Sequence, residues 1–392
     1  MKIAVVHDYF TQLGGAEKVA EELIRMLPGA ALHTTVALPD RMPPGLVNVP
    51  VKTSWMQKLP GMREYYRLYF LLYPLALPSL DLSGYDLVLS SSSGYAKGVH
   101  TNRDALHVCY CHTPMRWAWS FDSYSAREEM GAAKRLVLPH LVNVLRRWDV
   151  GASRQPDHFI ANSRVVAQRI QLAYGRIAEV IHPPIDLARF RPSPERDDYY
   201  IVLSRLVSYK RIDLAIQACT LLGRRLLVIG DGPDRARLTA KAGPTTSFLG
   251  RLSDAEVEHH AARCRALLFP GEEDFGMAPL EVAAAGRPTI AYRGGGAVET
   301  IIDGVTGTFF DRQDPESLAT AIASSESVEW SSTALRRHAE KFGIDVFRAK
   351  LRVFLAKVGA PLPDAPVLPS NAAPRAAAGS VGIVPVQEGI PA

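Results

Sequence analysis

Three consecutive acids, Glu272-Glu273-Asp274, run directly into Phe275-Gly276-Met277-Ala278-Pro279-Leu280-Glu281. The stretch reads as a strand end, an acidic glycine loop and a helix that begins near Ala278. Pro279 falls in the first turn, where a missing N–H costs nothing. Glu273 then lies in the loop and Glu281 in the first turns of the helix. A carboxylate near a helix N-terminus gains about 0.3–1 kcal/mol from the dipole, which does not account for three adjacent acids at one edge. Ionised carboxylates only accept hydrogen bonds, and that suits the hydroxyls of a sugar or a ribose. Two cations complement them in Ser204-Arg205-Leu206-Val207-Ser208-Tyr209-Lys210, which follows directly on an apolar strand. A guanidinium and an ammonium at a strand end suit a diphosphate, although the same pair taken alone also fits a solvated surface.

Other motifs discriminate less. Gly230-Asp231-Gly232-Pro233 closes the next strand and lets backbone approach a ligand, as many turns do. Gly14-Gly15 forms the first strand-to-helix turn, but no G-x-G-x-x-G or G-x-x-x-x-G-K-[ST] pattern occurs at a strand end, which argues against dehydrogenase and P-loop chemistry. Cys109, Cys111, Cys219 and Cys264 are too scattered for a disulfide framework. His112 follows the first pair without a second ligand pair at zinc-like spacing, so buried thiols are expected.

These residues need elements to hold them. Apolar runs at Ile3–Val6, Ala31–Val36, Tyr85–Leu89, Leu106–Cys111, His158–Ala161 and Glu179–His182 alternate with helical patterns. A second series follows at Tyr200–Leu203, Arg225–Gly230, Ser247–Gly250, Ala266–Pro270, Pro288–Tyr292 and Gly307–Phe310. Alternation without hairpin signals predicts parallel sheets covered on both faces, hence an α/β chain of two Rossmann-like domains facing across a cleft. The expected division is 1–190, then 191–343, with a helix over 344–358 returning to the first domain. Residues 359–392, rich in Pro, Ala and Gly, are expected to be a disordered tail. Ligands of open sheets collect beyond the carboxyl ends of the strands, so the cleft is where chemistry is expected.

Composition agrees with an enzyme of this size. The 392 residues exceed what one core holds, and 47% hydrophobic with 22% charged residues excludes a fibrous or disordered chain. Neither a membrane-spanning run nor a signal peptide is evident, so a cytoplasmic protein is expected. The charge of +5 belongs to residues 1–190, with 21 Lys and Arg against 16 Asp and Glu; residues 191–392 balance at 24 against 24. Within the basic half, Trp55, Tyr65, Tyr66, Tyr69, Phe70 and Tyr73 interleave with Lys52, Lys58, Arg63 and Arg67. That pattern suits peripheral contact with an anionic membrane, at the inner face of the cell membrane, and equally a buried helix with a basic edge. No nucleic-acid motif accompanies the charge.

Taken together, Arg205 and Lys210, Gly230-Asp231-Gly232-Pro233, Glu273-x7-Glu281 around Phe275-Gly276, and Gly294-Gly295-Gly296-Ala297-Val298-Glu299 resemble the retaining family-4 glycosyltransferases of GT-B fold, over residues 1 to about 358. The resemblance implies that Glu273 contacts hydroxyls of the donor sugar and that Glu281 binds the nucleotide ribose. It implies that Arg205 and Lys210 hold the diphosphate and that Phe275, Gly276 and Met277 line diphosphate and sugar. It further implies that Gly14 and Gly15 close over the donor, that Gly230 borders it, and that His112, in His112-Thr113-Pro114-Met115-Arg116-Trp117, lies near the transferred sugar. The subgroup it is most similar to contains bacterial mannosyltransferases that use GDP-mannose to build O-antigens and exopolysaccharides on polyprenyl diphosphate. The chain is therefore expected to move a hexose, mannose in the first place, to a hydroxyl of a lipid-linked glycan. With no D-x-D triplet, it is expected to do so with no metal and no other cofactor. A UDP-sugar donor, a sugar-nucleotide epimerase of the same fold and a non-enzymatic carbohydrate-binding protein stay open as alternatives.

Overall fold

The computed structural model describes residues 1–119 and 132–362; the expected tail lies outside them from residue 363 onward. Two fully parallel sheets form, as the two strand series predict. The first contains β1 (Ile3–His7), β2 (Ala31–Thr34), β3 (Val51–Thr53), β4 (Leu87–Ser92), β5 (Leu106–Cys111), β6 (His158–Ala161) and β7 (Ala178–Val180), in the spatial order β3-β2-β1-β4-β5-β6-β7. The second contains β8 (Tyr200–Leu203), β9 (Leu226–Ile229), β10 (Thr246–Gly250), β11 (Leu267–Phe269), β12 (Thr289–Tyr292) and β13 (Gly307–Phe310), ordered β10-β9-β8-β11-β12-β13. In both sheets the winding direction reverses beside the first strand, between β1 and β4 and between β8 and β11. Chains leaving a sheet at such a point diverge to opposite faces and open a crevice at the strands' carboxyl ends.

The sequence misses one strand of the first sheet, β3, and misplaces β4. β3 is a three-residue edge strand with exposed Lys52 and Thr53, too short to show a period. β4 starts two residues later than its apolar run and continues through Ser90-Ser91-Ser92, all buried. Serines resemble a loop, yet a central strand accommodates them when each hydroxyl finds a partner, as Ser90 does on His107 Nε2 at 2.8 Å.

Each sheet is covered on both faces. Val5, Leu32, Leu87, Leu89 and Val108 pack under the helix Gly15–Met26 and under the helix Ile344–Lys357, which brings Phe347, Leu351, Phe354 and Leu355. That last helix thus ends against the first sheet, and Arg348 Nε donates to the buried Glu22 at 2.5 Å. The chain crosses between domains twice, side by side, where Ile185 N donates to Phe342 O at 2.9 Å. In the second domain Val202, Val228, Leu268 and Ile290 meet Ile216, Leu318 and Ile322 on one face, and Ile201, Ile229, Phe269 and Ala291 meet Val282 and Leu335 on the other.

The aromatic and cationic run divides between its two expected readings. Tyr66 and Tyr73 are buried in the first-domain core, whereas Trp55 and Tyr65 are exposed. Arg63 forms two hydrogen bonds with Asp40, at 2.7 and 2.9 Å. The four cysteines are free and buried. Among the described residues no helix is long and apolar enough to cross a membrane.

Candidate functional site

The acidic loop leaves β11 at one switch point, and its shape is set by glycine. Gly295 adopts φ +57°, and a Cβ there would stand 2.2 Å from Glu273 O. Gly296 N donates to that same carbonyl at 2.7 Å. The Gly294-Gly295-Gly296 segment therefore packs backbone to backbone under the loop, which any side chain would prevent. Phe275 is buried and stacks on His182, with ring centroids 5.2 Å apart. Gly276, at φ +93°, turns the chain into the helix Met277–Ala284.

Each of the three acids meets a cation, and the cations come from both domains. Glu273 pairs with Lys210, whose ammonium stays charged: burial opposes the charge, but the adjacent carboxylate outweighs it and raises the pKa. Asp274 Oδ1 lies 2.6 Å from Arg116 Nη2 and also pairs with Arg169, which reaches Glu272 at 3.1 Å. The Arg116 guanidinium lies over the Tyr209 ring, 4.3 Å from its centroid. Ser163 caps the helix Arg164–Tyr174 and donates from Oγ to Asp274 O at 2.5 Å. The loop is thus clamped by the first domain, from which Arg116, Ser163 and Arg169 all project. Glu299 reinforces the contact from the second domain. It accepts from the Arg164 and Val165 amides at 2.8 and 3.3 Å and lies 3.2 Å from His182 Nε2.

The expected site residues fall into groups. Lys210 and Glu273 touch, and Phe275, Gly276, Met277 and Glu281 continue along the same loop and helix. Gly15 faces this helix across the cleft, so that a Cβ on it would stand 2.7 Å from Met277 Sδ. Gly14 precedes it as N-cap of the helix Gly15–Met26. Glu281 is buried and meets Lys18 Nζ of that helix at 2.9 Å. Arg205 is exposed and reaches Gln12 in the first domain. The guanidinium packed on Tyr209 beside Lys210 is Arg116, which the sequence placed in a motif without assigning it a role. Gly230, at φ +130°, lies under the Ser204 carbonyl, where a Cβ would stand 1.9 Å from the oxygen. It shapes the segment that carries Arg205. Arg169, Lys18 and Gln12 also reach the site, and none of them carries a sequence motif of its own.

His112 follows β5, one strand beyond the switch point of the first sheet. It is buried, its Nε2 lies 2.9 Å from Ser91 Oγ, and Asn162 holds its carbonyl at 2.9 Å. Burial, with a smaller contribution from His7, lowers its pKa to about 3, against an opposing pull from Asp274; burial likewise lowers that of His107 to about 4. Unfolded, both rings take up protons near pH 6.5. Below that value the unfolded chain binds protons that the fold refuses, so their contribution is intact above about 6.5 and declines as pH falls towards 4. The urea midpoint at pH 5 is therefore expected to lie below that at pH 7; an unchanged midpoint would contradict the neutral buried rings.

Residues 13–189 match the family model for Glycosyltransferase Family 4, and residues 186–342 match that for Glycosyl transferases group 1. The chain belongs to this glycosyltransferase family. The glycosyltransferase is 28% identical over 358 residues to a GDP-mannose-dependent alpha-(1-6)-phosphatidylinositol monomannoside mannosyltransferase of Mycolicibacterium smegmatis, covering 80% of this chain and 79% of that one. A protein of the same name from Mycobacterium tuberculosis is 30% identical over 219 residues, 48% of this chain and 56% of its own length. Its fold is that of Anabaena HepE, solved in complex with UDP-glucose: the TM-score is 0.68 at 18% identity, over 91% of this chain and 100% of that one. Sucrose-phosphate synthase from Thermosynechococcus elongatus gives a TM-score of 0.72 at 14% identity, over 91% and 99%. The two facing domains of the glycosyltransferase are therefore the GT-B arrangement.

Proposed function

We propose that this glycosyltransferase transfers mannose from GDP-mannose, with retention of configuration, to a hydroxyl of a lipid-linked glycan in cell-surface polysaccharide synthesis. The Lys210–Glu273 pair at the switch point between β8 and β11 is the observation that supports it most. A diphosphate entering beside Lys210 meets an ammonium that stays protonated, and a sugar beyond it meets the acceptor-only Glu273 carboxylate. The helix that begins at Met277 offers its first amides to phosphate oxygens. Glu281, buried and near that start, would exchange Lys18 for the ribose hydroxyls.

Retention follows if the acceptor attacks from the face the diphosphate leaves. The departing oxygen then takes the acceptor's proton, and Lys210 and Arg205 stabilise the remaining charge. Neither glutamate acts as nucleophile in this scheme: Glu273 pairs with Lys210 beside the diphosphate, and Glu281 takes the ribose hydroxyls. Metal is not required in this scheme, because Lys210 and Arg205 supply the positive charge. Turnover unaffected by EDTA is the expected outcome, and loss restored by Mg²⁺ would replace the scheme.

Glu273→Gln keeps the shape and removes the charge. It is expected to lower kcat/KM by about tenfold to a hundredfold, the scale of one or two hydrogen bonds lost to the transition state. A near-normal rate would remove the sugar contact from Glu273. The complex of HepE with UDP-glucose motivates a second donor reading. Thermal stabilisation by GDP-mannose against UDP-hexoses separates the two, the larger shift naming the donor. Trp55 and Tyr65, exposed near Lys52 and Lys58, support peripheral contact with anionic lipid on the acceptor side, and flotation with anionic liposomes tests it.

A further inference from the structure

Beneath the first switch point lies a buried chain of proton-bearing groups that neither the acidic loop nor the cations use. Ser91 of β4 is in register with His7 of β1. Its Oγ stands 3.1 Å from His7 Nδ1 and 2.9 Å from His112 Nε2. On the far side of His7, the Nε2 lies 3.9 Å from Glu17 Oε1. Glu17 is only 2% exposed, and its Oε2 has no hydrogen-bond partner among the described residues. It sits in the first turn of the helix that follows Gly14 and Gly15.

One hydroxyl proton serves two imidazoles here, so the roles along the chain are linked. At 3.9 Å the Glu17 oxygen is too far from His7 Nε2 for a hydrogen bond, but as the carboxyl oxygen facing that nitrogen it favours a proton there electrostatically, and a neutral His7 ring then keeps its lone pair on Nδ1. Ser91 then donates to His7 Nδ1, and its oxygen accepts from His112 Nε2–H. The His112 ring is neutral, so Nδ1 carries no proton. With Nε2 committed to Ser91, Nδ1 is the ring nitrogen left for a ligand. Had His7 been cationic, every bond would reverse: Nδ1–H would donate to Ser91, Ser91 to His112 Nε2, and His112 would carry its proton on Nδ1.

We propose that Glu17, His7 and Ser91 are positioning residues that hold His112 in the Nε2–H tautomer, so that its Nδ1 accepts a hydrogen bond from a hydroxyl of the transferred sugar. Naming the ligand as a sugar hydroxyl rests on the glycosyl-transfer reading; the tautomer does not. A His112 of this kind favours a donor sugar with a hydroxyl at the contact and disfavours one that presents a carbonyl or carboxylate oxygen there, because two acceptors would face each other. The preference is written by Glu17, which would touch no substrate.

The test is long-range ¹H–¹⁵N correlation of the full-length protein labelled at histidine nitrogens, with His112→Gln and His7→Gln assigning the signals. His112 and His7 are both expected as Nε2–H tautomers. A proton on His112 Nδ1, with His7 doubly protonated, overturns the proposal and needs no variant to fold. Glu17→Gln offers an amide donor to His7 and is expected to shift His112 towards the Nδ1–H form. Ser91→Ala is expected to give a mixture of tautomers and a fall in kcat/KM of about tenfold, the scale of one hydrogen bond, which Ser91→Thr restores. A His112 tautomer unchanged in both Glu17→Gln and Ser91→Ala also overturns it. The tautomer is read on the protein alone, so failure of glycosyl transfer and failure of this assignment show separately.

Discussion

Lys210→Ala is expected to lower kcat/KM for glycosyl transfer by about 10²–10³, the usual consequence of removing one preorganised charge from a developing oxyanion. Lys210 is placed for that effect. Its loop follows β8, its backbone packs against Gly271 at the start of the acidic loop, and its ammonium is held by Glu273. The substitution removes a cation whose partner is partly solvated, so the fold is expected to survive and the loss to appear in turnover. Arg116 remains beside Tyr209 but is committed to Asp274, and it does not substitute for the lost ammonium. Steady-state rates with donor and acceptor, beside donor hydrolysis and circular dichroism, make the measurement. A rate within about threefold of the parent, on a scale where 1.4 kcal/mol is tenfold, would assign the leaving-group charge to another residue.

The second large effect falls on stability. Lys97 and Asp149 form an ion pair with essentially no solvent contact, at 1% and 0% exposure. Trp119 Nε1 and Tyr174 OH donate to the other Asp149 oxygen at 2.7 and 2.6 Å. Lys97 also lies between the Trp148 and Tyr174 rings, 5.7 and 5.6 Å from their centroids. Burial opposes the Lys97 charge, and the Asp149 carboxylate more than offsets this, so its pKa is raised. Asp149→Ala strands that ammonium and leaves two donors unpaired, which is expected to cost about 3–5 kcal/mol. In a domain of this size the melting midpoint would fall by about 10 °C. Urea titration of the full chain checks it, and a loss below about 1 kcal/mol would mean that water reaches Lys97. The pair also bears on the site. Lys97 follows the turn where the Ser93, Tyr95 and Ala96 amides converge on Asp8, immediately after β1 and His7.

Much of the architecture was legible because local pattern and global fold agree. β5, β6, β8 and β13 occur where their apolar runs are, and the helix Ile212–Leu222 spans its own period. The missed strand and the misplaced one have local causes. β3 is an edge strand of three residues, and the serines of β4 show no hydrophobic signal. At the site, chemistry was legible where unusual residues cluster in sequence, as Glu272-Glu273-Asp274 and His112 do. It was not legible for isolated residues such as Arg169, Lys18 and Glu17, which nothing in the neighbouring sequence distinguishes from surface or core charges.

By itself the sequence determined two parallel sheets and the strand ends that carry the acidic loop and Lys210, because strand and helix periods and glycine turns are encoded over a few residues. Only the tertiary structure decided which charges meet. Asp274 finds Arg116 and Arg169, Glu281 finds Lys18, and His112 reaches His7 through Ser91. Those contacts join residues that the chain brings together only after β4 has crossed over to lie beside β1 and the second domain has closed on the first. A periodic pattern specifies the face a residue occupies on its own element; the strand order and the docking of the two domains specify what that face meets.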